Sequence, residues 1–188
     1  MNLITSENYL KEYTNINKNV DMTIITPAIY EAQLSYILPI LGTKLYDEVL
    51  SQIGSNTVTV LNQTLLNNYV LPCLMHWAKY EALPDMKYRL MNKGVQFKNS
   101  DNSASADLEE VQFLMDREKR KAEMYAERTT RYLKHNVNSY PLYTANVNYD
   151  EIKPNKNNVT GGIWVGDDKY LDDRLNNILI GNYTPKYY

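Results

Sequence analysis

The stretch that most constrains this chain runs from Leu61 to Leu83. Between Tyr69 and Ala78 it reads Tyr-Val-Leu-Pro-Cys-Leu-Met-His-Trp-Ala, too long for one strand and apolar on every side rather than along one stripe. A helix that is hydrophobic all round has to be buried all round. The segment is therefore expected to be the central helix of an all-helical core, with at least two other helices packed across it. Pro72 removes one backbone hydrogen bond and crowds the preceding turn, which predicts a bend or break near Tyr69. The apolar run from Val70 to Leu74 is far too short to span a bilayer, so a core helix and no membrane contact are expected.

A chain of 188 residues that is 44% hydrophobic can bury one core and carry appendages. Its formal net charge of −2 argues against an affinity of the whole protein for nucleic acid, which would need a concentrated basic surface. Cys73 is the single cysteine, so an intrachain disulfide is excluded and a reducing compartment is expected. The start, Met-Asn-Leu-Ile-Thr-Ser-Glu, has neither the basic region nor the apolar run of a signal peptide, and the protein is expected to stay where it is made. Tyrosine is frequent, 17 residues against 2 phenylalanines. Its apolar face and polar tip suit contacts that are partly wet, although the codon bias of an AT-rich genome accounts for the count equally well.

Around the central helix, Ser6 can cap a short helix from Glu7 to about Asn15 that carries Tyr9, Leu10 and Tyr13 on one face. Asn15 to Asp21 reads as a polar loop, and Thr26-Pro27 as a helix start. Ile29, Tyr30, Leu34 and Ile37 follow at helical spacing. Pro39 predicts a kink or end around Ile37 to Leu38, then a corner at Leu38 to Thr43 and a second helix on Leu45, Tyr46, Val49, Leu50 and Ile53. Leu83-Pro84-Asp85 is expected to stop the central helix. Asn92-Lys93-Gly94 is hairpin-turn chemistry within residues 87–98, and a hairpin this short needs helices or another molecule to rest on. Ser105 or Asp107 can cap a long amphipathic helix ending near His135, with Leu108, Val111, Met115, Ala122, Ala126, Thr129 and Leu133 as its apolar stripe. Glu118 is the one charged interruption of that stripe. Asp116-Arg120, Lys119-Glu123 and Glu127-Arg131 stand at i,i+4 spacing, and the mixed charges of Arg117 to Lys121 read as a solvated face. Residues 140–188 lack a helical or strand period. They read as an extended arm with a short strand at Gly161 to Gly166 and a short helix after Asp167 or Asp172. The expected division is a helical domain, 1–139, and an arm, 140–188.

The motifs point to no catalytic site. His76 on the buried helix reads as a core histidine satisfied by a hydrogen bond, and His135 stands where a helix C-terminus favours a cation. Neither His-x₃-His nor Cys-x₂-Cys spacing occurs, and Gly161-Gly162 lacks the Lys and Ser/Thr of a phosphate loop. Glu109-Glu110, Asp167-Asp168 and Asp172-Asp173 suit helix N-termini better than acid–base work. No cofactor or metal is expected, and the scattered methionines read as core filler.

The sequence from Tyr30 to Leu50, Tyr-Glu-Ala-Gln-Leu-Ser-Tyr-Ile-Leu-Pro-Ile-Leu-Gly-Thr-Lys-Leu-Tyr-Asp-Glu-Val-Leu, resembles the N-terminal region of the head–tail connector (adaptor) ring proteins of tailed bacteriophages, in the variant of crAss-like phages of Bacteroidales. The resemblance extends over residues 1–136 and finds no counterpart for the rest. It implies a small helical-bundle subunit, most often twelve copies in a ring beneath the portal, that extends the DNA channel and docks the next neck or tail protein. Localisation in the virion neck after synthesis in the host cytoplasm follows, with double-stranded DNA passing without sequence-specific binding. A closed ring needs one patch to meet a different patch on the next copy. The apolar groups of the arm, Ile163, Trp164, Val165, Tyr183, Tyr187 and Tyr188, are the expected contacts to a neighbouring copy or a neck partner. The alternatives are a non-catalytic phage-encoded binding protein, and an enzyme acting on nucleic acid through the acidic pairs and a divalent metal.

Overall fold

A computed structural model describes residues 3–91, 94–97, 108–145, 148 and 151–155. The fold is mainly α-helical. Helix α1, Glu7–Tyr13, starts where Ser6 accepts the amide of Tyr9 and buries Leu10 completely. Helix α2, Met22–Ala32, begins a full turn before the expected Thr26-Pro27 start, because the Asp21 carboxylate accepts the amide of Thr23 at 3.0 Å and caps the helix there. Pro27 lies inside, and the extra turn brings Ile25 into the core.

Neither Pro39 nor Pro72 breaks its helix. A π-helical turn, Gln33–Ile37, ends two residues before Pro39, and another, Leu66–Val70, ends two residues before Pro72. The amides of Leu38 and Leu71 reach back five residues to the carbonyls of Gln33 and Leu66. Both sites carry the same local sequence, Tyr36-Ile-Leu-Pro-Ile-Leu41 and Tyr69-Val-Leu-Pro-Cys-Leu74. A proline lacks its N–H and presses on the carbonyl four residues back, and one widened turn absorbs both defects while the rod continues. The bend foreseen near Tyr69 takes this form. Helix α3, Leu38–Leu41, therefore prolongs α2, and the corner falls at Gly42. The rod Met22–Leu41 is long and apolar enough to cross a membrane, yet its Ile25, Ile29, Ile37 and Leu41 are buried against the other helices.

Helix α4, Thr43–Gly54, turns back from that corner, and α5, Val60–Leu65, leads through the second π-turn into α6, Leu71–Lys87. As expected from its all-round apolarity, α6 is central: it packs on α2 along one side and on α7, Leu108–His135, along the other. It passes Pro84, against expectation, because a proline one turn from the end costs a single hydrogen bond and Met86 beyond it packs on the core. Strands β1, Tyr88–Met91, and β2, Gly94–Phe97, pair antiparallel with Tyr88 opposite Phe97. The caps proposed for α7 at Ser105 and Asp107 lie outside the described residues. Its i,i+4 pairs Lys119–Glu123, at 4.0 Å, and Glu127–Arg131 form.

Buried polar groups tie the elements together. Gln33 accepts the amide of Ile4 at 2.8 Å and donates to the Tyr46 hydroxyl at 2.7 Å, joining the N-terminal segment, the first π-turn and α4. At the second π-turn the Thr129 hydroxyl sits 3.2 Å from the Tyr69 carbonyl oxygen, while Tyr69 stacks on Tyr132 at 4.0 Å. The Tyr140 hydroxyl donates to the carbonyl of Leu61 at 3.0 Å.

Residues after Tyr140 correct the expected domain boundary. Tyr140 and Tyr143 belong to the core, and α8, Pro141–Thr144, packs on α4. Residues 151–155 then return across the Gly42 corner as a strap. Thr43 N–H donates to the carbonyl of Ile152 at 3.0 Å, Ile152 N–H to the Thr43 hydroxyl at 2.8 Å, and Asn155 N–H to the carbonyl of Pro39 at 2.7 Å. The last of these satisfies a carbonyl of a terminal helical turn, and Lys44 pairs with Glu151 at 3.6 Å. The compact unit ends at Asn158. The strand and helix foreseen in residues 161–179, and the arm contacts Ile163, Trp164, Val165, Tyr183, Tyr187 and Tyr188, lie outside the described residues.

The strap gives Gly42 two reasons to be glycine. Its φ of +74° with ψ of 155° is a conformation nearly closed to other residues, and a Cβ there would stand 2.6 Å from the ring of Pro154. Gly42→Ala is expected to cost roughly 1–3 kcal/mol from backbone conformation alone, and to release the strap. Hydrogen exchange checks this: the amides of Thr43, Ile152 and Asn155 should lose protection while α6 keeps its own. Unchanged protection at all three would contradict the account.

Candidate functional site

The one charged residue in the apolar stripe of α7, Glu118, is 1% exposed. It faces α6 where the two helices cross, and the residues opposite it are His76 and Lys79, three apart and hence on one face. Lys79 Nζ donates to Glu118 Oε1 at 2.9 Å and also to Asn15 Oδ1 in the loop after α1. His76 Nδ1 lies 2.8 Å from Glu118 Oε2, and its ring stacks on Tyr125 with centroids 5.4 Å apart. Arg117 and Lys121 reach the same Oε1 from α7 itself, at 3.5 Å and 3.6 Å. The expectation of a solvated face across Arg117 to Lys121 therefore fails at Glu118, whose carboxylate is the hub of three cations.

Burial acts to raise the Glu118 pKa, since it disfavours the charged form. The hydrogen bonds from Lys79 and His76, with the charges of Lys79 and Lys121, outweigh it and hold the carboxyl at about 2, below its ordinary 4.5. A carboxylate stays ionised inside a protein when its hydrogen bonds and countercharges are this close. His76 is satisfied by a hydrogen bond, as its place in the sequence suggests, but by a carboxylate on another helix.

Beside the hub is a partly open cavity of about 210 Å³, lined by Tyr13, Thr14, Asn15, His76, Lys79, Arg117, Glu118 and Lys121. A histidine held by a carboxylate is the base-and-orienter half of a nucleophilic site. In the lining the Thr14 hydroxyl is engaged, donating to the Leu10 carbonyl, and Cys73, outside the lining, lies buried in the core, its thiol pKa pushed up by burial. Among the described residues no group of three or more His, Cys, Asp or Glu side chains could hold a metal ion. Glu109 and Glu110 stand in the first turn of α7, where their charge complements the helix dipole. His135 closes the same helix. The pairs Asp167-Asp168 and Asp172-Asp173 lie outside the described residues.

Lys79 is the member of this cluster that the sequence reading passed over. A lysine within a helix apolar on every side was the available signal, because such a charge needs a partner from another helix.

Residues 37–153 match the profile of DUF6712, a family of unknown function. No curated protein and no solved structure matches the chain. The two ends of the matched region meet in the fold, where Ile152 pairs with Thr43 across the Gly42 corner.

Proposed function

The chain belongs to the DUF6712 family, whose function is unknown, and we propose that it is a non-enzymatic structural protein of a phage virion, a head–tail connector subunit that forms a ring below the portal. The observation that carries this reading is the outer ridge of α7. Glu109, Phe113, Asp116, Arg120, Met124, Glu127 and Arg131 follow one another at three-and-four spacing and are all exposed. Phe113 and Met124 are 62% and 56% exposed. Eleven residues is three turns, so the two apolar groups stand in line, roughly 16 Å apart. Phe, Met and Arg are residue types enriched in protein interfaces, and such a ridge suits packing against a different face of the next copy, as a closed ring requires.

In this reading the hairpin of β1 and β2 meets a neighbouring molecule. The arm beyond Asn158 carries Ile163, Trp164, Val165, Tyr183, Tyr187 and Tyr188 into pockets of an adjacent subunit or of the portal and neck proteins above and below. Several large anchors offset the ordering entropy of such a segment, about 1–2 kcal/mol per residue fixed. The low net charge of −2 lets double-stranded DNA pass the channel without being held.

Electron microscopy of the purified chain tests the proposal. Rings with a central channel are expected, and Phe113→Asp with Met124→Asp should abolish them without unfolding the bundle, because both side chains are exposed. Particles of monomer size in the unmodified protein would overturn it.

A further inference from the structure

The cluster at the crossing of α6 and α7 holds more donors than its carboxylate can use. Among the described residues, three cations, Lys79, Arg117 and Lys121, line the cavity with one carboxylate, Glu118, and no second acid, a surplus of two positive charges. Their contacts converge on a single oxygen, Oε1, while Oε2 is taken by His76. A carboxylate oxygen offers about two lone-pair sites. Lys79 occupies one at 2.9 Å, whereas Arg117 and Lys121 stand off at 3.5 Å and 3.6 Å, beyond the roughly 2.7–2.9 Å of a charge-assisted hydrogen bond. The Nε–H of Arg117 is buried without any acceptor. A guanidinium with one long hydrogen bond and a free Nε–H, and an ammonium held only by an ion pair at 3.6 Å, thus border a cavity of about 210 Å³, and a water's share of volume is roughly 30 Å³.

We propose that this cavity is a binding site for a terminal phosphate group, held by Arg117 and Lys121 and walled by the loop residues Thr14 and Asn15. The chemistry selects phosphate over a simple carboxylate on two counts. A phosphate monoester carries a charge of about −1.5 to −2 at neutral pH, against the local surplus of two, whereas a carboxylate leaves one cation unmatched. Its three terminal oxygens can accept the guanidinium fork and the ammonium together. Glu118 keeps Lys79 and His76 in place from below and does not touch the ligand. The site is independent of ring formation, so the two proposals stand or fall separately.

Isothermal titration calorimetry on the full chain tests it, with inorganic phosphate, glycerol phosphate, acetate and duplex DNA as titrants in separate runs. Saturable binding of one phosphate or glycerol phosphate per chain is expected, with acetate at least about tenfold weaker. The side chains of Arg117 and Lys121 are 41% and 45% exposed, so Arg117→Ala and Lys121→Ala should fold normally, confirmed by an unchanged far-ultraviolet spectrum. Each is expected to weaken phosphate binding by about tenfold or more. A preference for inorganic phosphate over glycerol phosphate would identify the free ion as the ligand, and the reverse an esterified one. The proposal is overturned if millimolar phosphate gives no saturable heat, if acetate binds as well, if DNA binds where both small phosphates do not, or if the two variants bind unchanged.

Discussion

Glu118→Gln is expected to destabilise the protein by about 3–5 kcal/mol, the cost of removing one partner from a buried ion pair and leaving the other charge uncompensated. Lys79 bears most of that cost, because it is buried and its two acceptors, the glutamine amide oxygen and Asn15, would both be neutral, leaving the ammonium without a countercharge. Glutamine keeps the shape of the side chain, so the loss is one of charge rather than of volume. Replacing both partners, Glu118→Leu with Lys79→Met, should recover much of the stability, since an apolar pair of similar size needs no countercharge. With the single variants Glu118→Leu and Lys79→Met beside the double one, a double-mutant cycle isolates the coupling between the two residues. Acid provides an independent check. The folded-state pKa of Glu118, about 2, lies below its ordinary 4.5, so its contribution is fully present above about pH 4.5 and is lost as pH falls from there towards 2. Urea unfolding at neutral pH and at about pH 3 should therefore show a smaller acid loss in Glu118→Gln than in the parent protein. Equal losses would mean that the carboxylate is not the acid-sensitive group.

Trp77→Ala is the second large effect, about 3–5 kcal/mol through lost burial and the cavity left behind. Trp77 is 2% exposed and lies where α6 meets the first π-turn. Its ring stacks on Tyr36 with centroids 3.7 Å apart and planes 2° from parallel, and meets Tyr80 edge-on at 5.7 Å. Tyr36 is itself fixed, its hydroxyl donating to Glu81 at 2.6 Å, so the site cannot collapse easily around a smaller residue. In a chain of this size the loss corresponds to a fall in Tm of roughly 6–20 °C. Trp77→Phe should cost much less because it preserves an aromatic face for Tyr36. A Tm unchanged by Trp77→Ala would show that α6 is not the centre of the fold.

What could be read from the chain alone followed from patterns that repeat locally. The burial of α6 was legible because residues Tyr69 to Ala78 are apolar on every side, and the stripe of α7 because it holds its period over most of the helix. Prolines misled in two of their positions. Pro27 imitates a helix start, but the Asp21 carboxylate, six residues earlier in a loop, caps the helix instead. Pro84 imitates a stop, yet its lost bond falls in the last turn, where its removal costs little. The Glu118 hub was hidden for a different reason: His76 and Glu118 are 42 residues apart, and only the crossing of two helices brings them together. The strap across Gly42 was equally illegible, since its hydrogen bonds are backbone to backbone or to the Thr43 hydroxyl and need no recognisable side-chain pattern.

The account is tested most directly by sedimentation equilibrium of the full chain beside a chain ending at Asn158, where the compact unit closes. The full chain is predicted to form one closed oligomer. The shortened chain is predicted to keep the helical signature and cooperative melting of a folded bundle while remaining a monomer or reaching the oligomer only at far higher concentration. A full chain that sediments as a monomer at every concentration would contradict the account.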